Sequence, residues 1–356
     1  MHSTCINITP SLSNRDANIT NFLRDTAMSE AIDYASIKAA AERLEGHAVK
    51  TPLLESPFIN EISGRRVLVK AECLQQTGSF KFRGAWSAVS AIDEASRKRG
   101  VLAFSSGNHA QGIALAAQIA GIPAVVVMPN DAPALKIENT KKLGAEVVLY
   151  DRPGGEDREQ IGTDLAEQRG LTLIRPYDNA QVMAGQGTCG LEIADQAAAL
   201  GVSKADVLVC CGGGGLTSGI AMALNTAAPE LNVRPVEPEH YDDVIRSLQS
   251  GKRQFIDNPP PSLCDAIVTP APGELTFPII KRLCESGIAV TDQQALAAMG
   301  HALRRLKIVA EPGGSVALAA ALYHGDVIEG DTVICVVSGG NADDEMITRA
   351  LQAASV

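Results

Sequence analysis

Apolar residues fall in short unbroken runs, and from about Val67 onward these runs alternate with longer segments whose apolar positions recur at helical spacing. The runs VLAFSS (101–106), IPAVVVMP (122–129), EVVLY (146–150), LTLIRPY (171–177), ADVLVCC (205–211), LNVRPVEP (231–238) and DTVICVVSGGN (331–341) predict strands. Between and after them, 110–121, 134–145, 157–170, 185–200, 215–228, 292–306 and 315–325 predict helices. Runs bounded by Gly or Pro suit strands buried on both faces. Their alternation with helices predicts an α/β protein with parallel sheets. The stretch MSEAIDYASIKAAAERL, from Met28, reads as the start of the fold. Residues 1–27 are polar and predict a disordered or loosely docked tail. A loop-rich region covers about Gly251–Gly273.

Composition narrows the class. The chain has 356 residues, 46% hydrophobic and 20% charged, with a net charge of −10 and no basic run. That argues against nucleic acid or an anionic membrane surface as partner. No apolar stretch reaches membrane-spanning length. The eight cysteines form no C-x-x-C pair and the six histidines no H-x-x-x-H. They predict reduced buried thiols in a cytoplasmic protein rather than a disulfide or zinc framework.

Two local features carry chemistry. CGGGGLTSG sets Gly212–Gly215 between a strand and a helix. Consecutive glycines expose backbone N–H groups, and the helix start adds its positive end, so a phosphate is the natural ligand. The Walker A pattern is absent, and G-x-G-x-x-G is unmet because Thr217 and Ser218 stand where the third glycine would be. Glu237 ends the next strand at about the spacing of a ribose-binding carboxylate, which leaves a nicotinamide site as one alternative and a tight turn as another. The second feature is LQQTGSFKFRGA (74–85), where Lys81 lies between Phe80 and Phe82. Desolvation lowers a lysine pKa and frees a nucleophilic amine. The bland alternative is a snorkelling lysine at a helix start. Both phenylalanines are expected to keep water from Lys81.

TGSFKFRGA, SSGNHAQG, CGGGGL and VVSGGN stand in the order and at the spacing of fold type II pyridoxal-phosphate enzymes. Over about Ile32 to Asp343 the chain resembles the serine/threonine dehydratase, serine racemase and 3-hydroxyaspartate dehydratase branch. The resemblance implies two parallel-sheet domains of tryptophan synthase β-like architecture. The large cofactor domain would comprise 28–99 and 180–356, and a small mobile domain 100–179. It implies pyridoxal 5′-phosphate on Lys81 as a Schiff base, with Phe80 against the cofactor and Asn108 on its 3′-hydroxyl. Gly212, Gly213, Gly214, Gly215 and the Leu216 amide would hold the phosphate, and Ser338 would meet the pyridine nitrogen. Ser106, Gly107, Asn108 and His109 would bind the substrate α-carboxylate.

Three finer matches bear on the reaction. Ser106 resembles the racemases' acid/base on the face opposite the lysine; binding carboxylate alone is its other role. VEPEHYDD (236–243) resembles a divalent-cation site made by Glu237, the Tyr241 carbonyl and Asp243, suited to Mg²⁺, Mn²⁺ or Ca²⁺, or else it is a solvated acidic loop. Arg158 stands where related racemases place an arginine near the substrate side chain, and could grip a distal carboxylate or simply face solvent. Cys264-Asp265-Ala266 departs from the Ala-Asp-Gly common in relatives, which bears on substrate preference. The resemblance implies a homodimer that eliminates water from serine, threonine or 3-hydroxyaspartate. An amino-acid racemase using Lys81 and Ser106 is the alternative.

Overall fold

The computed structural model describes residues 31–105, 107–132 and 134–354. The expectations for residues 1–27 and for Ser106 lie outside the described residues. The described strands are β1 (Leu53–Glu55), β2 (Arg66–Ala71), β3 (Val101–Phe104), β4 (Ala124–Pro129), β5 (Glu146–Tyr150), β6 (Thr172–Leu173), β7 (Ala205–Cys210), β8 (Leu231–Pro238), β9 (Ile288–Val290) and β10 (Thr332–Val337). They form a six-stranded sheet of order β1-β2-β10-β7-β8-β9 and a four-stranded sheet of order β5-β4-β3-β6. Every neighbouring pair is parallel except β1 with β2.

The apolar runs are explained by cover on both faces. Val67, Val69 and Ala71 of β2 join Val333, Cys335 and Val337 of β10 in a core with the helices Asp292–His301 and Pro312–Tyr323. The alternate residues Leu68, Ile334 and Val336 face the helices Ala180–Ala199 and Gly215–Ala227. In the smaller sheet Val101, Ala103, Val126 and Met128 pack on the helices Lys81–Ser90 and Asn108–Ala120. Leu102, Phe104, Val125 and Val127 pack on the helix Arg158–Arg169. A strand with apolar cover on both faces cannot alternate with polar residues.

The structure departs from the sequence expectation at several places. Helix Ala180–Ala199 starts five residues before Gly185, because the Asn179 side chain caps it by accepting the Val182 N–H. Helix Asn108–Ala120 begins two residues before the expected start at Ala110. LTLIRPY gives only the two-residue β6. Strands β1 and β9 and the helices Pro57–Ser63, Asp243–Ser250, Thr276–Leu283 and Asp344–Ala353 were not expected. The two phenylalanines that flank Lys81 also part ways. Phe82 is fully buried in the core under the smaller sheet, and only Phe80 stands at Lys81, with Nζ 5.1 Å from its ring centre. A helix turns successive residues by about 100°, so neighbours cannot both face one amine.

Candidate active site

Lys81 is the first residue of the helix Lys81–Ser90, and Phe80 precedes it. Four residues before it, Thr77 takes a left-handed backbone (φ 57°), and Gly78 follows with φ 73°. The resulting turn is zipped to the segment after β10. The Phe80 N–H donates to the Ser338 carbonyl at 3.0 Å, the Gly340 N–H donates to the Gly78 carbonyl at 2.9 Å, and Ser79 bridges Gly339. Lys81 Nζ donates to the Pro176 carbonyl at 3.1 Å. Burial holds its pKa down to about 8, against the opposing pull of the Glu311 carboxylate.

A cavity of about 150 Å³ brings together Phe80, Lys81, Gly107, Asn108, His109, Arg158, Gly212–Gly215 and Leu216. Apart from Arg158, the first residue of the helix after β5, these come from the carboxyl ends of β3 and β7 and from the start of the Lys81 helix; strand carboxyl ends are where open parallel sheets bind ligands. The glycines are required by close approach. A Cβ on Gly213 would lie 2.4 Å from the Tyr177 ring, and Gly214 has φ 89° at the cap of helix Gly215–Ala227. The Gly213 carbonyl accepts from Gly273 N and Thr276 Oγ1, which fastens the loop.

Several lining residues were not singled out in the sequence. Glu311, buried at the cap of helix Pro312–Tyr323, accepts from Asn108 Nδ2 at 2.5 Å. Burial pushes its carboxyl up to about 7, opposed by the Asn108 hydrogen bond. Lys136 lines the cavity and forms an ion pair at 3.7 Å with Asp265, of the Cys264-Asp265-Ala266 segment that the sequence did single out and that also lines the cavity. Tyr177 and Thr269 complete the wall. Proline after Glu311 marks a helix start, but nothing local says that the carboxylate turns to a cavity.

His109 lines the cavity and lies 3.0 Å through Nε2 from the Ile174 carbonyl. A carbonyl only accepts, so Nε2 carries the proton and Nδ1 is a lone pair without a protein partner. Burial, with Lys81 nearby, lowers its pKa to about 3, so the ring is neutral. Arg158 lines the mouth with its guanidinium 5.7 Å from the Phe104 ring centre.

Other expected site residues lie apart from this lining. Ser338 is buried just past β10, and its N–H donates to the Gly314 carbonyl at 3.1 Å. Glu237, Tyr241 and Asp243 form a separate group. Glu237 accepts from Val244 N at 2.9 Å and Ile245 N at 2.8 Å, and so caps helix Asp243–Ser250. Burial, then Asp243, raises its pKa well above the ordinary carboxylate value. Burial pushes Asp243 up to about 8, and both of its carboxylate oxygens are buried without a protein partner. Two buried carboxylates side by side, one wholly unpartnered, have the chemistry of a hard-cation site. Among the described residues no group of three or more His, Cys, Asp and Glu side chains could hold a metal ion.

Residues 44–339 match the family model described as "Pyridoxal-phosphate dependent enzyme". The chain belongs to this family. The cavity suits the cofactor: an enclosed lysine amine beside a glycine loop at a helix start, with the Thr269 hydroxyl and His109 Nδ1 unpartnered in its wall. This pyridoxal-phosphate enzyme is 46% identical to an L-threo-3-hydroxyaspartate ammonia-lyase of Pseudomonas sp, over 90% of this chain and 98% of that protein. It is 42% identical to a serine racemase of Schizosaccharomyces pombe, over 89% of this chain and 97% of the relative. Among solved structures it is similar to the T.th. threonine deaminase, with TM-score 0.82, 42% identity and coverage of 88% of this chain and 99% of that one. Among the described residues no helix is long and apolar enough to cross a membrane.

Proposed function

We propose that this pyridoxal-phosphate enzyme is an ammonia-lyase that eliminates water from a β-hydroxy amino acid, with 3-hydroxyaspartate as its preferred substrate. The observation that carries the reading is one cavity holding a depressed-pKa lysine, a glycine loop and two further cations at its mouth, Lys136 and Arg158. The relative named as an L-threo-3-hydroxyaspartate ammonia-lyase supports the same substrate. When bound, the cofactor supplies an electron sink for the charge left on Cα.

The chain's own residues do the rest. Lys81 would carry the cofactor, and Phe80 would lie against its ring. Gly212–Gly215 and the Leu216 amide would hold the phosphate, Asn108 the 3′-oxygen, and Ser338 the ring nitrogen. With a pKa of about 8, freed Lys81 exists in part as a neutral amine near neutral pH, so its Nζ can take the Cα proton. Gly107, Asn108 and His109 would receive the α-carboxylate at the start of helix Asn108–Ala120. Arg158 would pair with the distal carboxylate, a contact that serine and threonine lack. Loss of the β-hydroxyl leaves an enamine that tautomerises and hydrolyses to a 2-oxo acid and ammonia.

Glu237, Asp243 and the Tyr241 carbonyl would hold a divalent cation, whose charge would offset the two buried carboxylates. A small domain over 100–179, a homodimer and a cytoplasmic setting belong to the same proposal. The test is a panel of serine, threonine and the 3-hydroxyaspartate diastereomers, assayed for ammonia and 2-oxo acid and for the inverted amino acid. The expected result is 2-oxo acid with 3-hydroxyaspartate preferred. Inverted serine far in excess of pyruvate would make the protein a racemase instead.

A further inference from the structure

The turn after β10 ends in Asn341, which the proposed chemistry does not use. Its Nδ2 donates to the Thr77 carbonyl at 2.8 Å and to Asn108 Oδ1 at 2.7 Å. Both amide protons are thereby assigned. A backbone carbonyl only accepts, so the Asn341 atom facing Thr77 is the nitrogen. Its second proton then faces Asn108, whose facing atom must be the oxygen. An asparagine's two ends are told apart only by such partners. Asn108 is left with Nδ2 turned the other way, where one proton meets Glu311 Oε1 at 2.5 Å and the second remains for a ligand. Gly78 makes room for this arrangement, since a Cβ there would stand 2.7 Å from Asn341 Oδ1.

We propose that Asn341 is a positioning residue that locks the Asn108 amide with its N–H side to the cavity, so that the site offers a donor to the cofactor's 3′-oxygen and holds that oxygen as an anion. The inference rests on the proposed pairing of Asn108 with that oxygen. Carboxamide oxygen in the same place would favour the neutral hydroxyl instead. The same two hydrogen bonds of Asn341 tie the Thr77 turn, four residues ahead of Lys81, to Asn108, so one side chain sets both.

The test is the absorbance of the holoenzyme across pH, which distinguishes the anionic form (long-wavelength band) from the neutral form (near-ultraviolet band) without turnover. In Asn341→Asp the carboxylate only accepts, so Asn108 turns its N–H toward residue 341 and presents its oxygen to the cofactor, and Glu311, which accepts from Nδ2 in the native site, takes up a proton to meet the turned oxygen. The ratio of anionic to neutral form is expected to fall about tenfold, the worth of one hydrogen bond to a charged oxygen. Asn341→Ala frees the amide to turn and is expected to give a smaller fall; it carries the test if the Asp variant does not fold. Combined with Asn108→Ala, Asn341→Asp is expected to add nothing. If Asn108→Ala changes the ratio while both Asn341 variants leave it as it was, the inference is wrong and the Asn108 reading stands. Additive effects in the double variant also overturn it. If Asn108→Ala leaves the ratio unchanged, the Asn108 reading itself fails.

Discussion

Lys81 and Arg83 stand two residues apart on one helix, and their surroundings are opposite. Lys81 faces the cavity with a single carbonyl partner, and desolvation lowers its pKa to about 8. Arg83 is 1% exposed and spends its donors on Glu72, Glu192, Thr188 and the Val49 carbonyl. Its pKa is raised well above the ordinary value, the two carboxylates outweighing burial. Lys70 extends this group, donating to Glu192, Gln196 and the Thr51 carbonyl. Two cations and two carboxylates close a fully satisfied network, which braces the first turn of the helix against β2 and helix Ala180–Ala199. The difference teaches how one helix serves two ends: satisfied charges fix geometry, and an unsatisfied one is left available to react.

The sharpest way to break this contrast is at its two poles. Lys81→Ala is expected to lower ammonia release by about 10⁴-fold or more and to abolish the bound cofactor's long-wavelength band, while the melting temperature of the cofactor-free protein holds. Unfolding of that variant would place Lys81 among the bracing charges instead. Arg83→Met leaves the buried Glu72 and the half-buried Glu192 short of a partner, so urea denaturation is expected to lose about 3–5 kcal/mol. A loss below about 1 kcal/mol would mean that the network is no brace.

A third buried charge sharpens the picture through pH. The folded Glu311 pKa of about 7 lies above the ordinary 4.5, so between these values the folded state binds more protons than the unfolded one. The stability that Glu311 contributes is therefore complete at low pH and is lost as pH rises toward 7. Glu311→Gln removes this slope and is expected to stabilise the cofactor-free protein by roughly 2 kcal/mol at about pH 8, with little change at about pH 4. Equal effects at both ends, in urea titrations across pH, would place Glu311 with the satisfied network.

Smaller effects test the cavity mouth and the acidic pair. Arg158→Ala is expected to raise KM for 3-hydroxyaspartate about tenfold while leaving that for serine nearly unchanged. An equal rise for both would return Arg158 to a general surface role. Chelation is expected to lower the melting temperature by about 2–4 °C, the equivalent of about 1 kcal/mol. Asp243→Asn should remove that response, and a variant that still responds would move the cation elsewhere.

Legibility along the chain followed distance. Lys81, Gly212–Gly215 and the runs that became β3, β4, β7, β8 and β10 are local patterns, and each was readable because its physical cause lies within a few residues. The capping that advanced helix Ala180–Ala199 to Asn179 was also local, yet the apolar period overshadowed it. Glu311, Lys136 and Asn341 were not readable, because their meaning comes from partners far along the chain: Asn108 lies 203 residues from Glu311 and 233 from Asn341. Arg83 was in plain view beside Lys81, but nothing in FKFRGA says which of the two cations meets carboxylates.

By itself the sequence determined a parallel α/β chain with a phosphate-ready glycine loop and a lysine of unusual setting, because strand runs, glycine freedom and helix starts are properties of short segments. Tertiary structure alone decided which charges are satisfied. Desolvation and hydrogen bonding depend on what the fold brings within about 3 Å, and that is set by the packing of two sheets rather than by any one stretch of residues.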